Sequence, residues 1–243
     1  MGRKGPTRHM KRQVSPTFWP LHRKESVWAT KTSPGPHAFA SAIPVTVILR
    51  DMLRYTVTGR EAKMAVKQGK VRVDGKTRLN ERFPVGLMDV VTLPDAGESY
   101  RLLPGKRGRL LLHQVKGDEI GIKLCRIIGK NTLRNGETQL RLHDGRTLKV
   151  PADSNYKVND VIEIKLPSQE IVEHVAFKDQ LPIIITGGRS QGEIGTIIGL
   201  GDEPGWKRTA TVRTAKGEDI RTLTKYVFPV GSAQSLISLP EEE

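Results

Sequence analysis

Three Asx-Gly dipeptides punctuate this chain: Asp74-Gly75, Asn135-Gly136 and Asp144-Gly145. Each pair tolerates positive φ at both positions, as required by the two-residue turn whose twist matches that of antiparallel strands. "KVRVDGKT" alternates apolar and polar residues up to the first turn. "QLRLHDGRTLKV" alternates on both sides of the third, with Leu140 and Leu142 before it and Leu148 and Val150 after. Slipping either hairpin by one residue would turn its apolar set to water, so register is strongly specified. "MDVVTLP" and "DVIEIKLP" read as further strands. At 243 residues the chain has room for several small cores, and an α+β multidomain protein is expected.

Two segments break the strand pattern. In "PVTVILRDMLRY", Val45, Ile48, Leu49 and Met52 recur at the spacing of one helix face, with Pro44 near the tolerated first position. Arg50 and Arg54 lie four apart, away from the centre of that face. In "TGREAKMAVKQGKVRVDGKT", Thr58 and Glu61 have capping-box spacing, and Gly69 is placed to end the helix in left-handed conformation. Ala62, Ala65 and Val66 fall within an arc of roughly 100°, while Arg60, Lys63 and Lys67 cluster within roughly 60° on another side. Lys70 and Arg72 carry the positive charge onto the following strand. A cationic stripe can be merely solvated. Continuity with Arg50 and Arg54, and the lack of compensating acids on the same helix face, favour a polyanion.

Residues 1–42 show no sustained period and hold five prolines, which predicts an extended arm. They carry eight Lys and Arg against one acidic residue, whereas residues 181–243 carry seven against eight; the formal charge of the whole is +14. The arm's Arg3, Lys4, Arg8, Lys11, Arg12, Arg23 and Lys24 suit phosphates. Trp19 and Trp28 suit either base stacking or a hydrophobic seam of the next domain.

Other chemistries find little support. Cys125 is the single cysteine, which excludes an intrachain disulfide and any Cys-based zinc cluster. No window approaches eighteen consecutive apolar residues, and a soluble intracellular protein is expected. "GGRSQGEIG" lacks the terminal Gly-Lys-Ser/Thr of a P-loop and runs into a strand-like pattern, so its glycines are read as turn residues. His113, His143 and His174 are isolated and form no catalytic constellation. The closing "EEE" reads as a solvated tail.

The helix, helix and hairpin of residues 43 to about 93 resemble the small RNA-binding domain named after a primary-binding protein of the bacterial small ribosomal subunit. "HMKRQVSPTFWP" and "SPGPHAF" before it, "PVGLMDVVTL" at its end, "HDGRT" and "KVNDVIEI" later and "ITGGRSQGEIGTI" near the end resemble, in order, the archaeal and eukaryotic small-subunit ribosomal protein of the S-four-e family. The ending "SLPEEE", without a basic extension, is more like an archaeal member.

The resemblance implies a basic N-terminal arm (1–42), a small two-helix plus β-hairpin RNA-binding domain (43–105), a central all-β domain (106–180), a KOW-type SH3-like small β-barrel (181–229) and a tail (230–243). It implies a structural protein of the cytoplasmic ribosome, partnered by small-subunit rRNA and neighbouring small-subunit proteins, with no cofactor, membrane or small-molecule substrate. The RNA-facing positions it implies are Arg50, Arg54, Arg60, Lys63, Lys67, Lys70 and Arg72, with the arm beside them. The KOW-like loop has Gln191 and Glu193 where such loops often carry lysine, which leaves protein contact or internal packing as its role. Two alternatives remain. A visiting KOW-type RNA-binding or elongation factor would tolerate the same modules. A pseudouridine synthase would need an Arg-Leu-Asp aspartate, and "DGRTLKV" offers the arginine without it.

Overall fold

The computed structural model describes residues 9–134, 136–151, 154–201 and 208–240. The arm is less extended than its prolines suggest. Strand β1 (Met10–Lys11) pairs antiparallel with β2 (Trp28–Ala29), and the arm folds back on the next module. Trp19 anchors it: the indole is buried and Nε1 donates to the Ala42 carbonyl at 2.9 Å. Met10 and Trp19 share a core with Ile43, Val45, Ile48 and Leu49. Burying two large apolar side chains offsets the cost of ordering a proline-rich segment.

After β3 (Ile43–Pro44), the helical turn α1 (Val45–Val47) widens into a π-type turn over Ile48–Met52, closed by Leu53 N–H donating to the Ile48 carbonyl at 2.9 Å. The expected regular helix is therefore short and distorted. Its apolar face nonetheless packs as expected, with Val45, Ile48 and Leu49 buried. Helix α2 (Gly59–Lys67) carries the full capping box: Thr58 Oγ1 accepts from Glu61 N–H at 3.2 Å, and Glu61 Oε2 accepts from Thr58 N–H at 3.4 Å. Gly69 ends it with φ of +78°.

The first five-stranded antiparallel sheet has the order β5-β4-β7-β8-β9, formed by β4 (Arg72–Val73), β5 (Lys76–Thr77), β7 (Val90–Leu93), β8 (Glu98–Pro104) and β9 (Leu110–Val115). Strand β6 (Pro84–Val85) pairs separately with β3. The expected boundary at 105/106 cuts the β8–β9 hairpin, so residues 106–115 belong to the first sheet rather than to the central module. The lysine- and arginine-rich turn at 105–109 looks like a linker, whereas pairing across it is long-range information.

The second sheet has the order β12-β11-β10-β13-β14, formed by β10 (Ile122–Thr132), β11 (Thr138–Leu142), β12 (Thr147–Val150), β13 (Val161–Lys165) and β14 (Ile171–Val175). The Asp144-Gly145 turn joins β11 to β12. The connection from β10 to β11 passes through residue 135, which lies outside the described residues. The third sheet, β18-β17-β16-β15-β19, comprises β15 (Pro182–Ile185), β16 (Ile194–Leu200), β17 (Thr209–Thr214), β18 (Asp219–Leu223) and β19 (Val227–Pro229). The cores run between sheets. Leu103, Leu124 and Val161 pack with Ile183, Val212 and Phe228, and Val90 and Val115 pack with Cys125 and Ile162.

A buried ion cluster joins the modules. Lys123 on β10 is 1% exposed, and its Nζ lies 2.7 Å from Asp74, 2.5 Å from Asp89 and 3.0 Å from Asp144. Asp74 belongs to the first hairpin turn, with φ of +52° followed by Gly75 at +73°, and Asp144 belongs to the third. Arg146 bridges both, at 2.5 Å from Asp74 and 3.1 Å from Asp144. The arm contributes His37, whose Nε2 lies 3.0 Å from Asp89 Oδ1. Burial opposes charge on Lys123, but Asp89 and Asp74 outweigh it and hold the ammonium pKa above its ordinary value.

His143 lies beside this cluster as a neutral ring. Its Nδ1 accepts from Arg126 N–H and its Nε2 donates to the Leu87 carbonyl, each at 3.2 Å. Burial, reinforced by Lys123, pushes its pKa down to about 3.

Lys123→Met should lower folding stability by at least about 3–5 kcal/mol, since three buried carboxylates lose their common cation; thermal unfolding of the full chain checks this. Acidification should also destabilise the protein, because the unfolded His143 binds a proton that the folded ring refuses. Its contribution is complete above the unfolded pKa of about 6.5 and declines on acidification by up to about 1.4 kcal/mol per pH unit. It is fully lost only below the folded value near 3. His143→Gln should flatten the unfolding midpoint against pH between roughly 6.5 and 4.5, above the ordinary carboxylate range.

Candidate nucleic-acid interface

Helix α2 is divided as its periodicity predicts. Ala62 and Val66 are fully buried and Ala65 is half-buried, whereas Arg60, Lys63 and Lys67 are exposed on the other side. Glu61 does not neutralise the stripe. Its carboxylate accepts from the Val57 and Thr58 amides and from the Thr58 hydroxyl, at 3.0, 3.4 and 2.9 Å. The Thr58 hydroxyl, then those amides, lower its pKa.

Arg50 is half-buried. Its Nη2 and Nε lie on Asp51 at 2.8 and 3.1 Å, and its Nη1 sits 3.5 Å from where a Cβ on Gly59 would be, over the start of α2. Arg54 is exposed and takes φ of +58°, reversing the chain between α1 and α2. Arg72 projects from β4 and is exposed. Carboxylates from outside the helix do reach the surface: Lys63 lies 3.4 Å from Glu81 and Lys70 lies 3.1 Å from Asp95. Exposed pairs of this kind contribute about 0–1 kcal/mol and exchange readily for a phosphate. Arg54, Arg60, Lys67 and Arg72 have no carboxylate partner among the described residues.

The arm's candidates separate. Lys11 and Lys24 are exposed. Arg23 donates to the Gln13 and Ser15 carbonyls at 2.8 and 3.1 Å and helps hold the arm's turn. Arg12 is buried, with Nη2 3.1 Å from Glu25 and Nε without a partner, so it is not the exposed phosphate contact its position suggested. It walls a cavity of about 530 Å³ between the arm and the α1–α2 turn, where Arg50 and Arg54 also lie. Trp19 is excluded from base stacking by its burial, and the hydrophobic-seam reading holds for it. Trp28 is 57% exposed, tilted against the His9 ring at 5.8 Å. Arg3, Lys4 and Arg8 lie outside the described residues.

Tyr55 was not legible as part of this surface. It is exposed between Arg54 and α2, with its hydroxyl on the Glu98 carboxylate, and that hydrogen bond raises its pKa. A single aromatic in an aperiodic turn carries no sequence signal.

Residues 4–40 match the RS4NT (NUC023) domain, residues 47–91 the S4 domain and residues 96–171 the Ribosomal family S4e. The small ribosomal subunit protein eS4 of Methanothermobacter thermautotrophicus is 44% identical over 96% of each chain. The chain belongs to the S4e family. Its counterparts in Staphylothermus marinus and Ignicoccus hospitalis are each 39% identical, over 99% and 98% of this chain and 99% and 96% of theirs. The crystal structure of the 30S ribosomal protein S4e from Thermoplasma acidophilum superposes with a TM-score of 0.69 at 31% identity, covering 79% of this chain and 96% of that one. The archaeal-type S4e resemblance read from the ordered motifs is therefore correct. Among the described residues no helix is long and apolar enough to cross a membrane.

The division of α2 in this S4e-family chain has a simple stability test. Val66→Asp places an unpaired carboxylate in the core and should cost several kcal/mol. Arg60→Ala, Lys63→Ala and Lys67→Ala should each stay within about 0.5 kcal/mol of the parent. Chemical denaturation of the four variants measures both.

Proposed function

We propose that this chain is a structural constituent of the small ribosomal subunit, holding small-subunit rRNA through its basic arm and two-helix domain and supporting translation without enzymatic activity. One observation carries the reading: Arg60, Lys63 and Lys67 form a stripe on α2, opposite Ala62 and Val66 and beside Arg54, Lys70 and Arg72. Cations held on a face whose reverse is locked into a core are positioned to bridge phosphates of separate RNA segments. Arginine adds bidentate contact and stacking. Trp28, exposed among Lys11 and Lys24, suits an unpaired base.

The relatives are named small ribosomal subunit proteins over nearly their full length, which supports residence in that particle over a visiting factor. In this reading the third sheet is the KOW-type SH3-like small barrel of residues 181–229, residues 1–42 are the rRNA-threaded arm, residues 230–243 are a tail, and neighbouring small-subunit proteins complete the surroundings. The place of work is the cytoplasmic ribosome.

The combined Arg60→Ala, Lys63→Ala, Lys67→Ala variant should bind small-subunit rRNA more weakly, with the slope of log affinity against log salt shallower by about 2 to 3. Filter binding across a salt series reads both. An unchanged slope would make the stripe a solvated surface, and loss of co-sedimentation of the parent with small subunits at moderate salt would favour a visiting factor.

A further inference from the structure

The glycine loop 187–192 and the basic turn 105–109 have no place in the α2 surface, yet they are packed against each other. Gly192 lies so close to the turn that a Cβ would stand 2.6 Å from the Gly105 carbonyl carbon, and Gln191 Nε2 donates to the Arg109 carbonyl at 3.0 Å. At its other end the loop lies on an aromatic ring, with a Cβ on Gly187 falling 2.6 Å from Tyr226 Cδ1. The loop's glycines thus serve close approach between modules and seat Tyr226.

Beside this contact is a cavity of about 360 Å³. Four modules wall it: Phe18 and Ala40 from the arm, Leu110 from the first sheet, Arg126 from the second, and Lys225 and Tyr226 from the third. Among the described residues no carboxylate lines it, whereas the larger cavity by Arg12 is lined by Glu25 and Asp51. Arg126 lines it, with Nη1 committed to the Lys225 and Val227 carbonyls at 2.7 and 3.1 Å. Lys225 Nζ sits 4.8 Å from the Tyr226 ring centre. On the adjoining surface Lys106, Arg107, Arg109 and Arg189 are exposed, and Arg107 is held at φ of +58°.

We propose that this four-module cavity receives one unstacked nucleotide of RNA, its base among Phe18, Leu110 and Tyr226 and its flanking phosphates on the 106–109 turn. The proposal rests on the rRNA-binding reading above but uses a surface separate from α2. Size and lining suit it: the volume is that of a small-ligand pocket, with apolar and aromatic walls interrupted by polar side chains. Splayed bases held by aromatic and arginine side chains are the usual currency of single-stranded RNA recognition. The cationic rim favours an anionic occupant, and the aromatic walls of Phe18 and Tyr226 favour a nucleotide base over an acidic peptide.

The experiment is ultraviolet crosslinking of purified small subunits containing the full chain, with mass spectrometry of nucleotide-bearing peptides. A crosslink at Phe18 or Tyr226 is expected. It should disappear with Ala40→Trp, which fills the cavity mouth from an exposed position, and weaken with the exposed pair Arg107→Glu, Arg109→Glu. In solution, Ala40→Trp should weaken binding to small-subunit rRNA by roughly tenfold, the scale of one lost base stack. Crosslinks at α2 without any at Phe18 or Tyr226 would overturn the proposal and leave the rRNA reading standing. A crosslink that survives Ala40→Trp would place the base outside the cavity and overturn it too. No RNA crosslink anywhere in the chain would overturn both.

Discussion

One ammonium group holds three carboxylates that come from distant parts of the chain. Lys123 stands on the second sheet, Asp74 and Asp89 on the first and Asp144 on the second sheet's hairpin turn, with His37 of the arm on Asp89. Each carboxylate also serves its own backbone: Asp74 accepts from Val90 N–H at 3.0 Å, Asp89 from Gly86 N–H at 2.9 Å and Asp144 from Arg146 N–H at 3.1 Å. Desolvating so many charges cancels much of their mutual attraction, so the cluster is a poor source of net stability. Breaking it is costly, and few other dockings of the modules would satisfy every member. Its role is therefore orientation.

Orientation matters because an RNA-organising surface works by distance between cations rather than by any one of them. The three cores run across sheet boundaries, as with Leu103 and Leu124 packing against Ile183 and Phe228. Gly86 is pressed against His37 so closely that a Cβ would lie 2.3 Å from the ring, and Gly145 approaches the Pro36 carbonyl to 3.0 Å by the same measure. Arm, first sheet and second sheet thus meet on one buried spot. The α2 stripe on one side and the Arg107–Tyr226 region on another are presented by a single packed body.

Local features were legible in the residues. The capping box at Thr58 and Glu61, the left-handed Gly69, the Asp74-Gly75 turn and the apolar and cationic sides of α2 all depend on neighbours within a few positions, where propensity and period apply. What misled was equally specific. Trp19 read as ambiguous because its burial is imposed by a segment more than twenty residues away, and Arg12 read as exposed because its partners Glu25 and Val27 lie outside any local window. The π-type turn at Ile48–Met52 shortened a helix whose apolar spacing looked regular. The 105/106 boundary cuts a hairpin because the pairing of β8 with β9 across "GKRGR" is not a local property of those residues.

The amino-acid order by itself determined the strand-rich class, the Asp74-Gly75 and Asp144-Gly145 hairpin turns, the amphipathic α2 with its cations and, through ordered resemblance along nearly the whole length, membership of the S4e family. Only the tertiary structure decided that Asp74 and Asp144, read as turn residues, converge on Lys123, that His143 is buried and neutral, and that the glycine loop packs on the first sheet's basic turn. The reason is physical. Periodicity reports which face of an element is apolar, whereas burial, pairing of charges and the shape of a cavity depend on which elements are brought together and in what orientation.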